Sequence, residues 1–449
     1  MTNEKNKVLI STLGCKVNQF ESAAFQSAFE AAGCSMAGRG EEADILVINT
    51  CAVTTKAGAQ SRKTVRQLMR RHPQARLVIT GCYAQLAGQE LIELSDRPIC
   101  IVGNGNKDKL VTATLNPAPC ELTMLTGKIR HNKEICHLEI QRFSERTRAY
   151  LRVQDGCDNF CTYCIVPYTR GTSRSLPLDK VIHQARIFDK QDHREIVVTG
   201  IHVGQYGRDL AGNTPIHQLL RELCRATPDV RYRLSSIEPL EVSDELLHVM
   251  AEETNFMPHF HIPLQSGDDH ILKRMNRHYN GSQFLAVTRR CLEILPDAAL
   301  GIDVLTGFPG ESEEQFHNTV ELLKLSGCSY LHVFPYSRRP GTPAAEFKDQ
   351  IPGPVKDKRV AILRSLGEQQ KQTFYQRHLG STRPVLVERR RKRGGPLNGF
   401  TDNYIPVSFD GPDELINCVV FVSLDQLSNE EVLGTYRKTT EQQEPPHAC

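Results

Sequence analysis

Residues 155–164 read DGCDNFCTYC and place Cys157, Cys161 and Cys164 in C-x3-C-x2-C spacing. The three cysteines lie on one loop after an apolar, strand-like run, so their thiolates can wrap a single iron–sulfur cluster. A structural zinc site would need a fourth cysteine or histidine at matching spacing, and the residues just after Cys164 are apolar. Three protein ligands leave one iron of a [4Fe–4S] cluster open to a further chelator. This favours a catalytic cluster over a simple electron carrier.

The region around this loop, residues 146–375, alternates strands with helical segments. Its six candidate strands are Ala149–Gln154, Glu195–Thr199, Tyr232–Ser235, Phe260–Leu264, Ala299–Leu305 and Tyr330–Phe334. Six βα units predict a partial (β/α)6 barrel, whose chemistry lies at the carboxyl ends of the strands. Glycine, serine, acidic residues and cysteines follow these strand ends, as an active site there requires.

The first region, residues 1–125, also alternates strands and helices and predicts a parallel-sheet α/β domain. Its candidate strands are Val8–Leu13, Asp44–Asn49, Arg76–Thr80 and Ile99–Val102. Cys15, Cys51 and Cys82 follow the first three of these strands. Because the carboxyl ends of parallel strands share one edge, we expect these cysteines to converge there. The alternative interpretation is three ordinary small buried side chains.

The other segments differ in character. Residues 126–145 are polar and weakly patterned and are predicted to be a linker, and residues 439–449 a disordered tail. Residues 376–438 contain short strands separated by Gly, Asn, Asp and Pro, which predicts a small all-β barrel. Those strands are Pro384–Glu388, Tyr404–Phe409, Cys418–Ser423 and Val432–Tyr436. The predicted fold class is therefore α/β, with a parallel-sheet domain, a partial barrel and a small β-barrel in that order.

Composition limits the class of protein. Fifteen cysteines among 449 residues are many, and the number is odd, so cluster or metal ligation is a better interpretation than a disulfide framework. No apolar stretch approaches the roughly 20 residues that span a bilayer, and the N-terminus shows no signal segment. We therefore expect a cytoplasmic protein with no membrane partner. The net charge of +3 is small, so any nucleic-acid surface must be local.

The C-x3-C-x2-C loop on a βα barrel resembles the radical S-adenosylmethionine superfamily, where an aromatic residue, here Tyr163, typically precedes the last cysteine. The resemblance implies that Cys157, Cys161 and Cys164 bind a [4Fe–4S] cluster whose open iron is chelated by S-adenosylmethionine. Reduction of this cluster would then cleave the sulfonium to a 5′-deoxyadenosyl radical.

The three regions together resemble the methylthiotransferase family, whose members replace a C–H bond by C–SCH3. The resemblance implies that Cys15, Cys51 and Cys82 hold a second, auxiliary [4Fe–4S] cluster that carries the sulfur. One S-adenosylmethionine would donate a methyl group to that sulfur, and another would supply the radical. The N-terminal cysteine edge should therefore face the mouth of the barrel.

Three segments resemble the branch that acts on N6-threonylcarbamoyladenosine at position 37 of tRNA. They are LGCKVNQFES around Cys15, TGIHVGQYG after the second barrel strand and RLSSIEP after the third. The expected product is the 2-methylthio derivative. The alternatives are methylthiolation of isopentenyladenosine-37 or of a ribosomal-protein aspartate, a non-catalytic iron–sulfur RNA-binding protein, and a structural zinc protein.

The resemblance also implies partners. These are tRNA, through the anticodon stem-loop around adenosine 37, an electron donor such as a flavodoxin or ferredoxin, and a sulfur donor. The C-terminal barrel resembles the TRAM domain, an OB-like RNA-binding module. The run Arg389–Arg393 and the helical stripe Arg62, Arg66 and Arg70 are candidate RNA contacts, with ordinary solvated surface as the alternative.

Further candidates lie on the rim of the predicted barrel. The residues expected to bind S-adenosylmethionine are Tyr163, Gly200, Ser236, Glu238 and Gln265, with help from the loop 307–311. Glu238 and Asp303 are the acids favoured for polar recognition, and a structural role at strand ends is the alternative for both.

Two other features of the sequence concern possible sites. His259, His261 and His270 have the composition of a metal site but no matching ligand spacing, so no metal is expected there. The chain has Leu176 where family members commonly carry an arginine, which predicts that Arg174 or another residue substitutes for it.

Overall fold

The computed structural model describes residues 6–38, 40–95, 97–116, 123–143, 147–428 and 431–437. The predicted tail, residues 439–449, lies outside these described residues. Over the described ranges the chain forms three parts that follow the predicted order: a parallel sheet with helices, a partial barrel of parallel strands, and a closed barrel of short strands. The predicted fold class is confirmed.

The N-terminal domain is built on a six-stranded parallel sheet with the order β2-β1-β3-β4-β5-β6. Its strands are β1 (Lys7–Thr12), β2 (Ser35–Met36), β3 (Ile45–Thr50), β4 (Arg76–Gly81), β5 (Ile99–Val102) and β6 (Thr123–Leu125). Its helices are α1 (Lys16–Ala31), α2 (Thr55–Arg71), α3 (Cys82–Leu86), α4 (Gly88–Ile92) and α5 (Leu110–Leu115). The central strand β3 is buried along its whole length, as a parallel strand covered on both faces must be.

The central domain contains six parallel strands arranged as two three-stranded sheets. The first sheet has the order β11-β10-β7 and the second the order β12-β13-β14, and single bridges such as Ser236 to His261 join them. The strands are β7 (Arg148–Arg152), β10 (Glu195–Thr199), β11 (Arg231–Leu234), β12 (His259–Gln265), β13 (Ala299–Thr306) and β14 (Tyr330–Pro335), and two short strands, β8 (Gln154–Asp155) and β9 (Arg174–Ser175), pair beside them. The predicted partial barrel is therefore present.

Helices cover the outside of this barrel and supply its core. They are α6 (Val166–Arg170), α7 (Leu178–Lys190), α8 (Ile216–Ala226), α9 (Asp244–Glu252), α10 (Asp269–Arg274), α11 (Gly281–Ile294), α12 (Glu313–Leu325) and α13 (Gly353–His378). Their apolar faces meet the outer faces of the strands in one continuous cluster that includes Phe188, Leu220 and Leu323. Capping boxes begin α11 at Asn280 and α12 at Ser312, which fixes where each helix starts.

The segment predicted to be a linker is packed where the structure describes it. Ile140 and Phe143 belong to the barrel core, and the backbone N–H of Ile140 donates to Oε1 of Gln184 at 2.9 Å. The sparse apolar residues of a polar stretch gave too weak a periodicity to predict this contact.

The C-terminal domain is a closed barrel with the order β15-β16-β17-β19-β18. Its strands are β15 (Thr382–Arg390), β16 (Leu397–Thr401), β17 (Pro406–Phe409), β18 (Val419–Ser428) and β19 (Glu431–Tyr436). It docks on the central barrel through ion pairs, among them Arg148 with Glu388 and Arg383 with Asp297. None of the described helices is long and apolar enough to cross a membrane.

Leu323 and Leu325 offer a matched test of the barrel core on one helix, α12. Leu323 is completely buried, whereas Leu325 is 74% exposed. We expect Leu323→Ala to lower the free energy of unfolding by about 2–5 kcal/mol, through lost burial and the cavity left behind. Leu325→Ala should change it by less than about 0.5 kcal/mol. Urea denaturation followed by circular dichroism measures both, and equal losses would contradict the assigned packing.

Candidate active site

The three N-terminal cysteines converge at one edge of the parallel sheet. Cys15 lies just after β1, Cys51 just after β3, and Cys82 begins α3 directly after β4, and these three strands are neighbours in the sheet. Gly14 has φ +102°, and a Cβ there would lie 2.9 Å from the Cys51 sulfur, so only glycine lets the Cys15 loop approach Cys51 this closely. The predicted convergence is thus seen in the structure.

The other three cysteines lie on a compact loop at the mouth of the barrel. The N–H of Cys157 donates to the carbonyl of Gly171 at 3.0 Å, and the N–H of Cys164 donates to the carbonyl of Cys161 at 2.9 Å. Gly156 has φ +79°, and a Cβ there would lie 1.9 Å from the Thr172 carbonyl oxygen. The glycine is therefore required for the turn that presents these cysteines.

The number of thiols distinguishes a cluster from a structural zinc ion. Each triad brings three cysteines together, whereas a structural zinc ion takes four protein ligands in a tetrahedron. Three thiols suit a [4Fe–4S] cluster that keeps one iron open. A separate compact group of potential ligands in the described residues is His261, Asp303 and His332, whose ligand atoms lie within 4.8 Å of one another.

Burial keeps two of these thiols protonated while no metal is bound. Burial raises the pKa of Cys51 to about 11 and the pKa of Cys164 to about 12. These thiols hold their protons at neutral pH in the absence of a metal. Iron must displace the protons when it binds, because the thiolate is the ligand.

Two residues that were not predicted as site residues contact the barrel cysteines, although one of them, His202, lies in the quoted segment TGIHVGQYG. His202 Nδ1 lies 3.5 Å from the Cys157 sulfur, and its Nε2 lies 2.9 Å from Glu241. Burial opposes a charged imidazole here, but the contacts with Cys157 and Glu241 prevail and raise the pKa of His202 to about 10. Arg277 Nη1 donates to the Cys161 sulfur at 3.5 Å. Both side chains place positive charge beside sulfurs that become negative on binding iron.

The two cysteine triads occur on facing edges of their domains. Asn104 Nδ2 donates to the carbonyl of Thr169 at 2.7 Å and also lies 3.8 Å from the Cys82 sulfur. On the far side of the same cleft, the hydroxyl of Thr55 donates to the carbonyl of Arg338 at 2.7 Å. The N-terminal cysteine edge therefore faces the barrel mouth, as the sequence predicted.

A buried ionic network joins these edges. Arg170 Nη1 lies 3.0 Å from Glu21 and 2.9 Å from Asp155, and its Nη2 donates to Asn18 at 2.7 Å. Lys107 also pairs with Glu21. Burial alone would raise the pKa of Glu21, but the adjacent Arg170 and Lys107 hold it well below its usual range. The network links α1 of one domain to the cysteine loop of the other.

The predicted rim residues divide into those near the barrel cysteines and those in structural contacts. Glu238 pairs with Arg277, and both line a cavity of about 250 Å³ together with His202. Gly200 approaches Gln154, whose Oε1 accepts the N–H of His202 at 2.8 Å. The cavity therefore begins beside Cys157 and Cys161, where a ligand of the open iron would lie.

Three other predicted rim residues have clear structural surroundings. Ser236 forms the bridge to His261 that joins the two barrel sheets. Gln265 has φ +65° at the end of β12. The half-buried ring of Tyr163 packs against a small apolar cluster that includes Phe308 and Tyr336.

Several weaker sequence features take structural roles. In the loop 307–311, Glu311 accepts from the N–H of Gly307 at 2.7 Å and pairs with Arg359 at 2.7 Å. Leu176 is buried in the barrel core. Arg174 is buried and donates to backbone carbonyls, including that of Thr172 at 3.1 Å.

The three histidines considered as a metal site are separated. His259 contacts the hydroxyl of Tyr330 at 2.7 Å, and His270 contacts Gln315 at 3.2 Å. His261 contacts Asp303 at 2.7 Å and lies near His332, which the sequence analysis did not single out. The alternation of β14, which places Tyr330, His332 and Phe334 on one face, is the signal that could have identified it.

Comparison with known proteins assigns these domains to families. Residues 7–103 match the Uncharacterized protein family UPF0004, and residues 151–323 match the Radical SAM superfamily. Threonylcarbamoyladenosine tRNA methylthiotransferase MtaB of Aquifex aeolicus is 38% identical over 411 residues, which cover 91% of this chain and 98% of the relative. The Bacillus subtilis protein of the same name is 37% identical over 93% of each chain. A tRNA-2-methylthio-N(6)-dimethylallyladenosine synthase of Maricaulis maris is 30% identical over 97% of this chain and 98% of the relative.

Solved structures show the same fold at lower identity. The radical S-adenosylmethionine methyltransferase TsrM of Kitasatospora setae superposes with a TM-score of 0.58 at 14% identity, covering 76% of this chain and 77% of that one. The cobalamin-dependent radical enzyme OxsB gives a TM-score of 0.52 at 11% identity, covering 82% of this chain and 56% of that one.

The partial barrel with its C-x3-C-x2-C loop thus defines a radical S-adenosylmethionine protein. Its identity to the relatives extends through the sheet domain and the C-terminal barrel as well. The chain belongs to the tRNA methylthiotransferase family of radical S-adenosylmethionine enzymes. This membership confirms the resemblance seen in the sequence and the predicted cofactors, [4Fe–4S] clusters and S-adenosylmethionine.

The network around Arg170 gives a prediction about stability. We expect Arg170→Met to lower the free energy of unfolding of the cluster-loaded protein by about 1.5–3 kcal/mol, because Glu21, Asp155 and Asn18 lose their shared donor while other cations still pair with the two carboxylates. Arg289→Met, which removes an exposed arginine, should change it by less than about 0.5 kcal/mol. The double variant Glu21→Gln/Arg170→Met should fall short of the sum of its singles by about 0.5–3 kcal/mol. Strict additivity in urea denaturation would show that the two groups do not interact.

Proposed function

We propose that this protein methylthiolates tRNA, converting N6-threonylcarbamoyladenosine at position 37 to its 2-methylthio derivative. The observation that carries the proposal is the pair of cysteine triads on facing edges, one of them in radical S-adenosylmethionine spacing. The relatives named for this substrate are 33–38% identical to the chain, whereas those named for dimethylallyladenosine are 30–33% identical. The difference favours threonylcarbamoyladenosine.

The cysteines divide between two clusters in this proposal. Cys157, Cys161 and Cys164 hold the cluster that binds S-adenosylmethionine, and Cys15, Cys51 and Cys82 hold the auxiliary one. When bound, these cofactors supply two reacting groups. One S-adenosylmethionine gives a 5′-deoxyadenosyl radical, and a second S-adenosylmethionine methylates a sulfur carried by the auxiliary cluster. The cavity lined by Glu238 and Arg277 lies beside these barrel cysteines, and this supports it as the binding site of S-adenosylmethionine.

The protein's own residues provide orientation and exclude water. The Arg170 network is buried, so it fixes the distance between the two cysteine edges without leaving a wet gap at that point. His202 and Arg277 stabilise negative sulfur at the barrel mouth. The nucleoside must reach the cleft between the edges, where both reacting groups can meet it.

Basic side chains near this cleft support an approach for tRNA. Arg62 and Arg339 line a cavity of about 750 Å³ between α2 and the loop after β14. Arg66 and Arg70 are exposed farther along α2. In the C-terminal barrel the basic run is divided: Arg390 is tied to Asp413 and Arg391 to Glu431, while Arg389, Lys392 and Arg393 are exposed. These surfaces suit phosphate contacts without base readout.

The remaining expectations extend the proposal. The enzyme acts in the cytoplasm on the anticodon stem-loop. A flavodoxin or ferredoxin supplies electrons, and a separate sulfur donor rebuilds the auxiliary cluster. The domain limits 1–125, 146–375 and 376–438 and the linker 126–145 stay predictions, although Ile140 and Phe143 of the linker segment pack in the barrel core.

The substrate assignment is tested by mass spectrometry of tRNA nucleosides from a strain that lacks the gene. We expect 2-methylthio-N6-threonylcarbamoyladenosine to disappear and N6-threonylcarbamoyladenosine to accumulate, with recovery on complementation by the wild-type gene. Loss of the 2-methylthio isopentenyl derivative instead would assign the chain to that substrate. No change in either nucleoside would refute action on tRNA.

The ligand assignment predicts how iron is divided between the triads. Anaerobically reconstituted Cys15→Ala and Cys157→Ala should each retain about half of the wild-type iron, because each removes one ligand of one cluster. Cys100→Ala, which alters a buried cysteine of β5 outside both triads, should retain all of it. Iron and sulfide analysis with electron paramagnetic resonance gives the result. Full iron in either triad variant would contradict the assignment.

A further inference from the structure

The inner face of β13 and β14 carries polar side chains that the cluster chemistry does not use. Leu331 and Val333 of β14 pack on the barrel core, so the alternating residues of that strand point to the opposite face. On this face the ring of Tyr330 covers Gly301, where a Cβ would lie 2.2 Å from the ring. The face is therefore the interior of the partial barrel, and Asp303 and His332 share it through the register of the two strands.

Asp303 organises the two nearest histidines. His261 Nε2 lies 2.7 Å from its Oδ1, and His332 Nδ1 lies 3.5 Å from the same oxygen. His332 remains 49% exposed, and the neighbouring Phe334 is 47% exposed. With Nδ1 turned to Asp303, the Nε2 of His332 is left for a ligand in the open barrel.

Lys16 lies at the start of a helix, α1, that packs on the barrel: Phe20 of this helix belongs to the barrel core, and Arg152 of β7 lies 5.2 Å from the centre of its ring. Lys16 directly follows Cys15, is exposed, and has Arg148, Arg233 and Asp303 among its electrostatic neighbours. Its ammonium group forms no hydrogen bond or ion pair with any residue that the structure describes. The lysine is thus an unpartnered cation next to the auxiliary cysteine edge, with Asp303 of the interior wall among its electrostatic neighbours.

The other cations of this interior have partners. Arg148 pairs with Glu195 and Glu388, and Arg233 pairs with Glu195. The carboxylate of Asp303 is engaged by its two histidines. Lys16 therefore adds an unpaired positive charge next to the barrel interior. This charge suits an anionic group on a ligand.

We propose that Lys16 binds the carboxylate of the threonylcarbamoyl group of the target adenosine, while His332 contacts the adjoining threonyl hydroxyl and Asp303 positions His332. The inference rests on the proposed function and adds the residues that recognise its substrate. A threonylcarbamoyl group ends in an α-carboxylate, which is ionised at neutral pH, whereas an isopentenyl group is an uncharged hydrocarbon. An unpaired ammonium group therefore favours the threonylcarbamoyl group, whose carboxylate can pair with it. An isopentenyl group would desolvate the lysine without offering a partner for its charge.

The surroundings suit the rest of the nucleoside as well. Phe334 presents an exposed aromatic ring two residues beyond His332, where a base can stack. Lys16 is one residue from Cys15, so binding of the carboxylate there brings the base next to the edge that carries the auxiliary cysteines. The adjacent residues Cys15 and Lys16 would then serve sulfur delivery and substrate recognition, respectively.

The test uses reconstituted holoenzyme and a synthetic anticodon stem-loop carrying N6-threonylcarbamoyladenosine, or its analogue with the carboxylate replaced by a carboxamide. We expect Lys16→Gln to lower kcat/KM on the natural stem-loop about tenfold or more. Replacing the carboxylate by the carboxamide should lower kcat/KM of the wild type by a similar factor. The same replacement should lower kcat/KM of Lys16→Gln little further. Lys16→Arg should recover part of the loss, and Lys180→Gln, an exposed lysine on α7, should behave as wild type.

Three measurements separate this role from a structural one. Iron content and S-adenosylmethionine cleavage without RNA should be unchanged in Lys16→Gln and in His332→Gln, and the latter should raise KM several-fold. A Lys16→Gln enzyme that still prefers the carboxylate over the carboxamide as strongly as wild type would overturn the inference. So would a bound metal, other than cluster iron, that His332→Gln removes. If wild type leaves the natural stem-loop unmodified, the proposed function itself fails, and the inference with it.

Discussion

The arrangement of the site depends on the buried ion network around Arg170. This arginine joins Glu21 on α1 to Asp155 just before the barrel cysteine loop, and Arg152, Arg174 and Lys107 surround the same two carboxylates. Four cations therefore share two anions in a region with almost no exposed surface. Such a surplus is costly unless further negative charge is close by.

The N-terminal cysteines can provide that negative charge. Cys15 and Cys82 are electrostatic neighbours of Arg170, and their presence favours its charged form. If these thiols bind iron as proposed, the resulting thiolates would offset the surplus cations of the network. The ion network and the proposed auxiliary cluster would then stabilise each other, which would account for so many arginines being buried at a domain boundary.

The sequence was most informative where a function depends on local spacing. Cys157, Cys161 and Cys164 lie within eight consecutive positions, so their shared role could be inferred without a structure. The convergence of Cys15, Cys51 and Cys82 needed one further step, the rule that parallel strands end at a common edge. The four inner strands of the N-terminal sheet and the six barrel strands were predicted from apolar runs, whereas the short strands β2, β6, β8 and β9 were not.

Long-range contacts were out of reach of that reasoning. Glu21 and Arg170 are separated by 149 positions, and no local pattern links them. Arg277 and His202 likewise reach the barrel cysteines from distant loops. The strand Leu397–Thr401 was missed because its Asn and Gly favour a turn, and barrel closure overrides that preference. Leu176 was read as a lost arginine, although its side chain fills the core.

Helix α1 explains how these distant parts are kept in register. Its first turn follows Cys15, and Asn18 within it donates to the carbonyls of Leu13 and Thr50 at 2.7 and 3.1 Å, which holds the Cys15 loop against the strand before Cys51. The Oδ1 of Asn18 also accepts from Arg170. A tilt of α1 would therefore move the auxiliary edge and the ion network together. Because both are fixed to one rigid helix, the geometry between the two cysteine edges is set by packing and does not depend on a flexible connection.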